Sequence, residues 1–187
     1  MKMLLQLLVD EEITLKQLTL PDTESLFALT DKNRSYLKQW LSWLDRTQSI
    51  QDTEKFIQNS IDQAVQNKAA VFGIYYKDNL VGVIDCNTID TANRKAIIGY
   101  WLSEDTQGKG IMTRAVKEII RFAFEDLQLN RVQINCATGN EKSCAVPKRL
   151  GFVKEGIIRQ AEWLYDHFVD WEQYSLLRQD WIKTKNL

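Results

Sequence analysis

Gln107-Gly108-Lys109-Gly110-Ile111-Met112-Thr113 stands between an apolar run, Ala96-Ile97-Ile98-Gly99-Tyr100-Trp101-Leu102, and a long amphipathic stretch from about Gly110 to Leu127. A glycine-bearing loop that leads from a strand directly into a helix is an anion site in the making. Successive backbone N–H groups and the positive end of the helix dipole can hold a pyrophosphate there, and two glycines let the backbone approach it. Three readings compete for the loop. A Walker A motif needs a glycine five residues before its Gly-Lys pair, which Gly108-Lys109 lacks. A dinucleotide fold expects G-x-G-x-x-G and an acidic ribose ligand after the next strand, but Thr113 replaces the third glycine and Cys136-Ala137-Thr138 ends that strand. The third pattern, Q-x-x-G-x-G/A, depends on what surrounds the loop.

On the N-terminal side, Ala70 to Tyr76 and Leu80 to Cys86 flank the polar Lys77-Asp78-Asn79, which reads as a hairpin, and Ala96 to Leu102 is a third strand. Ile13-Thr14-Leu15-Lys16-Gln17-Leu18 alternates like a half-buried strand, and Met1 to Val9 reads as an edge strand. That opening is not a signal peptide, because Gln6 interrupts it and Asp10-Glu11-Glu12 follow without a small-residue cleavage site. Between these strands the spacing predicts helices through Leu26 to Thr30, over Tyr36 to Leu44, and after Ser49 with Phe56, Ile61 and Ala64 on the apolar side. On the C-terminal side come a strand Arg131 to Cys136, a short helix ending near Gly151, and two strands, Val153 to Leu164 and Val169 to Leu177, paired around Tyr165-Asp166-His167. A βαβ unit is thus joined to an antiparallel meander. The expected fold is α/β (α+β), a mixed, twisted sheet of about seven strands with helices on both faces.

Bulk properties narrow the function. With 187 residues and nothing resembling a linker or repeat, residues 1–187 read as one domain. Its 24 basic and 25 acidic side chains nearly cancel, which argues against direct nucleic-acid binding, and no run of about 20 apolar residues argues for a membrane span. Cys86, Cys136 and Cys144 form neither a CxxC pair nor a disulfide framework, and His167 is the only histidine, so no metal is expected and a reducing cytoplasm is the simpler location.

Gln107-Gly108-Lys109-Gly110-Ile111-Met112, between a fourth strand and a long helix, resembles the acetyl-CoA pyrophosphate loop of the GNAT superfamily; Met112 replaces the usual glycine or alanine, in a Gly-Ile-Met-Thr form known from one branch. Three further stretches agree. Ile98 to Leu102 resembles the strand beside pantetheine, where a bulge frees backbone N–H groups. Asn140-Glu141-Lys142-Ser143 with Arg149-Leu150-Gly151-Phe152 resembles the N-x-x-S and L-G-F signature beside CoA, although Asn140 is equally explained as a helix cap. Gln160-Ala161-Glu162 resembles the segment that carries a catalytic glutamate in the ribosomal-protein serine and alanine acetyltransferase branch, the nearest match over essentially the whole chain, Trp40-Leu41-Ser42-Trp43 included.

The resemblance implies a GNAT fold, acetyl-CoA as co-substrate, and direct attack by an acceptor amine. It assigns Glu162 as the base and Ser143 as donor to the departing sulfur. Cofactor contacts fall on Trp101, Leu102, Gln107, Gly108, Lys109, Gly110, Ile111, Met112, Thr113, Asn140 and Ser143. Backbone N–H groups near Trp101 and Leu102 would face the oxyanion. Cys144 reads as a neighbour of the site and not a nucleophile, and His167 as an exposed turn residue. A homodimer is a family-level expectation; Trp171, Tyr174 and Trp181 suit either a second chain or the core.

The acceptor is a protein N-terminus or a small amine. At pH 7 an α-amine of pKa about 7.8 is roughly 14% neutral against about 0.04% for lysine, a difference of ~3.5 kcal/mol in deprotonation. A pocket for polyamines, aminoglycosides or amino acids would be lined by Trp40, Trp43 and Trp163, residues expected more often in the core. A non-catalytic module that only binds acetyl-CoA is the reading from another class.

Overall fold

The structure is a computed structural model and describes residues 5–185. Eight strands form one sheet in the order β1-β2-β3-β4-β5-β6-β8-β7: β1 Gln6–Leu8, β2 Ile13–Gln17, β3 Ala70–Tyr76, β4 Asn79–Asp90, β5 Lys95–Leu102, β6 Arg131–Ala137, β7 Val153–Leu164 and β8 His167–Leu177. All neighbours are antiparallel except β5 and β6, which the intervening helix makes parallel. The eighth strand is the three-residue β1; Met1 to Leu4 of the expected edge strand lie outside the described residues. Lys77 and Asp78 both take positive φ, 49° and 62°, the two-residue turn that matches strand twist, so Asn79 begins β4.

Helices α1 (Thr23–Lys32), α2 (Arg34–Leu37) and α3 (Ile50–Val65) precede the meander; α4 (Ile111–Arg121) crosses from β5 to β6, α5 (Glu141–Arg149) follows β6, and α6 (Arg178–Lys185) ends the described chain. Strand alternation distributes them over two faces. Phe72, Ile84, Ala96 and Ile98 pack with Ile111, Ala115 and Ile119 of α4 and with Cys144 and Val146 of α5. Their odd-numbered neighbours Val71 and Val83 turn the other way, onto Leu26 of α1 and Ile57 of α3. Beyond Arg121 the crossover helix widens into a π-helical turn, Phe122–Asp126, in which Leu127 N bonds Phe122 O. The widening buries Phe122, Ala123 and Phe124 in succession, with Phe124 against Trp181 at 5.3 Å.

Two helical expectations are corrected. Ser49 caps α3 through a capping box with Asp52, but the buried apolar residue of that helix is Ile57, beside the buried Thr53 and Ser60, whereas Phe56 is 44% exposed. The helix expected over Tyr36 to Leu44 lasts one turn. The Arg34 guanidinium donates to Leu44 O at 2.8 Å and Thr47 O at 2.7 Å, which ties the far end of the segment back to the start of α2 and shapes it as a folded-back loop. Trp40, Trp43 and Trp163 are consequently not core: the first two are half-buried and Trp163 is 52% exposed. Tyr174 and Trp181 are packed within the chain.

β5 and β6 pair only over Lys95–Arg131, Ala96–Val132 and Ile97–Gln133. Past that point each continues with its outer neighbour alone, β5 with β4 and β6 with β8, and the sheet opens into a V. On the far side Arg131 pairs with Glu155 of β7, with Nη1 to Oε1 at 2.7 Å, and Ser175 Oγ donates to the same carboxylate at 2.8 Å. The guanidinium holds Glu155 down to about 2. A carboxyl depressed on folding stabilises fully above its unfolded pKa of about 4.3, and the contribution is lost as pH falls towards 2. Because both partners keep access to water, the pair is worth on the order of 1 kcal/mol. Thermal melts should therefore show wild type above Glu155→Gln by a margin that is constant above pH 5 and closes as pH approaches 2.

Candidate active site

The V is the floor of a groove of about 830 Å³, bounded by the α4 N-terminus on one side, the start of α5 on another, and by Tyr36 of α2 with Trp40 and Leu41 of the folded-back loop. Among the sequence candidates, Trp101, Leu102, Gln107, Gly108, Gly110, Ile111, Met112, Thr113, Asn140 and Ser143 line it; Lys109 does not, its ammonium lying 5.8 Å from the Tyr76 ring.

The loop takes its shape from its glycines. Gly108 and Gly110 have φ of +74° and +71°, and a Cβ at either would meet no protein atom within 4 Å, so both are glycine for backbone conformation and face open space. No side chain caps α4, and the first bond within it runs from Arg114 N to Gly110 O at 3.1 Å. The N–H groups of Ile111, Met112 and Thr113 thus stand in the orphan positions of a helix N-terminus and are suited to an anion. Lys142, across the groove, bonds Gln107 Oε1 at 2.9 Å and adds positive charge; its spacing gave no reason to single it out. Arg114 lines the groove too, but its guanidinium is drawn to Asp10 at 2.8 Å and Glu12 at 3.2 Å.

In β5 no bulge interrupts Ile98 to Leu102; the irregularity in its pairing with β4 falls at Asn87/Asp90. Free backbone groups arise from the V instead. Ser103 N donates to Val81 O at 2.8 Å, and the alternation of an antiparallel ladder then turns Trp101 towards β4 and Leu102 and Tyr100 towards the edge that β6 has left. Of the two positions expected to face an oxyanion, Leu102 presents its backbone N–H to the gap.

Asn140 caps α5, its Oδ1 accepting from Ser143 N at 3.1 Å. Pro147, four residues after Ser143, cannot donate the helical bond to Ser143 O, and the Tyr100 hydroxyl supplies it across the V at 3.0 Å. Ser143 Oγ lies 3.5 Å from both Tyr100 Oη and Cys136 Sγ. Burial pushes the Tyr100 phenol well above its ordinary pKa and keeps it protonated. Tyr100 was read only as a strand residue; the proline is the one signal that its hydroxyl has a partner. Cys144 is buried and its thiol pushed up to about 12 by desolvation, and Cys86 likewise.

Glu162 sits on β7 beyond a break in register. Ile158 pairs with Trp171 and Glu162 with Val169, so Arg159, Gln160 and Ala161 stand opposite Asp170 alone, Gln160 in the left-handed region at φ 48° with its N–H on Asp170 Oδ1 at 2.7 Å. Such a bulge re-aims the side chains that follow it. The Glu162 carboxylate is held by Ser42 Oγ at 2.6 Å and Trp171 Nε1 at 3.3 Å. It is not among the groove-lining residues, but the Ser42 bond sets it beside Leu41, which is. Ser42 has no local signature for this role, because 120 residues separate it from its partner, and Trp171 reaches the carboxylate only through the shifted register of the β7–β8 hairpin. His167 is exposed and bonded to Asp166 at 2.6 Å, outside the groove.

Together these parts offer anion-holding N–H groups at one end, a backbone donor at the fork of the V, a hydroxyl near it, and an anchored carboxylate alongside. Among the described residues no group of three or more His, Cys, Asp or Glu could hold a metal, and no helix is long and apolar enough to cross a membrane. A family model described as acetyltransferase (GNAT) domain matches residues 12–153. YdaF of Bacillus subtilis (strain 168) is 40% identical over 179 residues, covering 95% of this chain and 97% of that protein. The ribosomal-protein-serine acetyltransferase of Escherichia coli (strain K12) is 36% identical over 167 residues, covering 89% and 93%. Among solved structures, RimL, a ribosomal L7/L12 alpha-N-protein acetyltransferase in complex with coenzyme A, superposes with a TM-score of 0.90 at 29% identity, covering 92% of this chain and 98% of that one.

Proposed function

The chain belongs to the acetyltransferase (GNAT) domain family, and from that premise we propose that it acetylates the N-terminal α-amine of a ribosomal protein, with Glu162 as the base. The observation that carries this reading is the Glu162 carboxylate, re-aimed by the β7 bulge and anchored by Ser42 and Trp171 beside the groove. The E. coli relative and RimL act on ribosomal proteins by name, which supports the same acceptor class.

Acetyl-CoA supplies a thioester whose carbonyl carbon is the electrophile. The orphan N–H groups of Ile111 to Thr113, with Gln107, Gly108, Gly110 and Lys142, hold its pyrophosphate. Glu162 accepts the proton of the acceptor ammonium, freeing the nitrogen lone pair; the N–C bond forms while the C–S bond breaks. Leu102 N–H faces the developing oxyanion. Ser143 Oγ, kept in place by the Asn140 cap and the Tyr100 bridge, gives its proton to the departing sulfur, which leaves as CoA thiol, and recovers one from the attacking nitrogen, which thereby becomes the neutral amide. A single anchored carboxylate is enough for an α-amine, already partly neutral at pH 7.

The same reading makes residues 1–187 one cytoplasmic domain that pairs as a homodimer; the exposed Val153 and Ile157 on the edge strand β7 suit a second chain. Release of CoA thiol, followed with Ser- and Ala-starting ribosomal peptides, polyamines, free amino acids and aminoglycosides, tests the acceptor. Turnover on the peptides is expected. Turnover confined to small amines moves the acceptor to that class, and acetyl-CoA binding without turnover on any of them removes the enzyme reading.

A further inference from the structure

On the face of the sheet covered by α1 and α3 lies a second cavity, about 300 Å³, walled by Leu26, Trp43, Phe56, Val83 and Trp101 and reaching Thr53. Thr53 is 2% exposed, and its Oγ1 is the only buried side-chain oxygen or nitrogen without a hydrogen-bond partner among the described residues. A buried hydroxyl left unpaired is costly, and in a cavity otherwise apolar it marks where a ligand's polar atom belongs. Thr30, in the same wall, is already satisfied by Leu26 O at 2.8 Å.

Position ties the cavity to the transfer site. Trp101 lines both the cavity and the large groove, and Trp43, 6.5 Å from it, follows Ser42, which holds Glu162. We infer that the cavity receives the side chain of the acceptor residue next to the acetylated one, and that the side chain it fits best is a ring bearing a hydroxyl. The first residue carries the attacking amine on its own Cα and stays beside Glu162; the next Cα lies one step of about 3.8 Å further on, and its side chain is the one assigned to the cavity that Trp43 and Trp101 wall. Three aromatic walls favour a flat ring by edge and face contact. A charged side chain would lose its hydration there without an opposite charge. The phenol oxygen then meets Thr53 Oγ1.

The inference rests on the α-amine reading, and the experiment separates the two. Peptides Ser-X-Ala-Ala, with X as Gly, Phe, Tyr or Lys, are compared by kcat/KM in wild type, Thr53→Val and Phe56→Ala; Phe56 is exposed enough for its loss to spare the fold. Wild type should favour Tyr over Gly by at least about 10-fold and Tyr over Phe by roughly 10-fold, as a buried unpaired hydroxyl selects for its partner. Thr53→Val should erase the Tyr–Phe difference and leave the Phe and Gly rates alone; Phe56→Ala should bring Phe and Tyr towards Gly. Equal rates for all X in wild type, or a preference that neither variant alters, overturns the inference while Ser-Gly turnover leaves the acceptor class standing. If the variants change only the rates with propionyl- and butyryl-CoA relative to acetyl-CoA, the cavity serves the acyl chain and the inference falls. No turnover on any peptide, with turnover on spermidine, overturns it together with the proposed acceptor.

Discussion

Glu162→Gln should lower kcat by about 10²- to 10⁴-fold, the range for removing a general base, and leave the dissociation constant of acetyl-CoA within about twofold. The amide keeps the size of the side chain and can still accept from Ser42 or Trp171, so the bulge and the loop around it stay in place. What it cannot do is take the amine proton. Ser42→Ala should be milder and of another kind: the base survives and loses one of its two anchors, so the loss is one of aim. Stopped-flow single turnovers measure the chemical step, and calorimetric titration with acetyl-CoA measures binding. A variant that keeps the wild-type rate across pH 6 to 9 takes Glu162 out of the mechanism.

Gly110→Val should weaken acetyl-CoA binding by roughly 10- to 100-fold while costing the free protein about 1–2 kcal/mol, the strain of a side chain held at left-handed φ. A branched Cβ at φ +71° meets no protein atom, so the penalty arises in the backbone. Relief of that strain rotates the peptide leading into α4 and turns the N–H groups of Ile111 to Thr113 off their common aim. Equilibrium binding of acetyl-CoA and a thermal melt separate the effects: affinity should fall steeply and the melting temperature by a few degrees. Unchanged affinity would remove the helix N-terminus from cofactor binding.

Elements whose signals are local were legible in the sequence. Alternation located the strands, Ser49 and Asn140 stood at the α3 and α5 caps, and the Gly108–Gly110 pair lay where the chain turns from β5 into α4. Features made by distant residues were not. The apolar period over Tyr36 to Leu44 is helical in sequence, yet a guanidinium from Arg34 takes the carbonyls of Leu44 and Thr47, and the loop so formed brings Ser42 to Glu162. Freed N–H groups in β5 were expected from a bulge, whereas they come from the parting of two strands, which no pattern within one strand can reveal. The bulge that does matter is in β7, where Gln160 takes a conformation more usual for glycine or asparagine. Pro147 leaves the carbonyl of Ser143 without its helical donor, and the Tyr100 hydroxyl that takes it comes from another strand, a pairing no local pattern reveals.

The three-pair junction between β5 and β6 also sets an order in time. Everything on its N-terminal side, β1 through β5 with α4 packed on them, is continuous in the chain up to Asp126, and everything beyond begins at Arg131. A ribosome making this chain therefore releases β1 to β5 and α4, which carry most of the shared apolar cluster, before the rest of that cluster exists, and partial packing can begin as they emerge. The loop donors of Ile111 to Thr113 are then in place first, and Ser143 and Glu162 arrive only when β6, α5 and the β7–β8 hairpin dock. Catalytic competence is the last thing synthesis delivers, so a chain cut short after α4 would keep the backbone donors of Ile111 to Thr113 without Lys142, and lack every group that moves a proton.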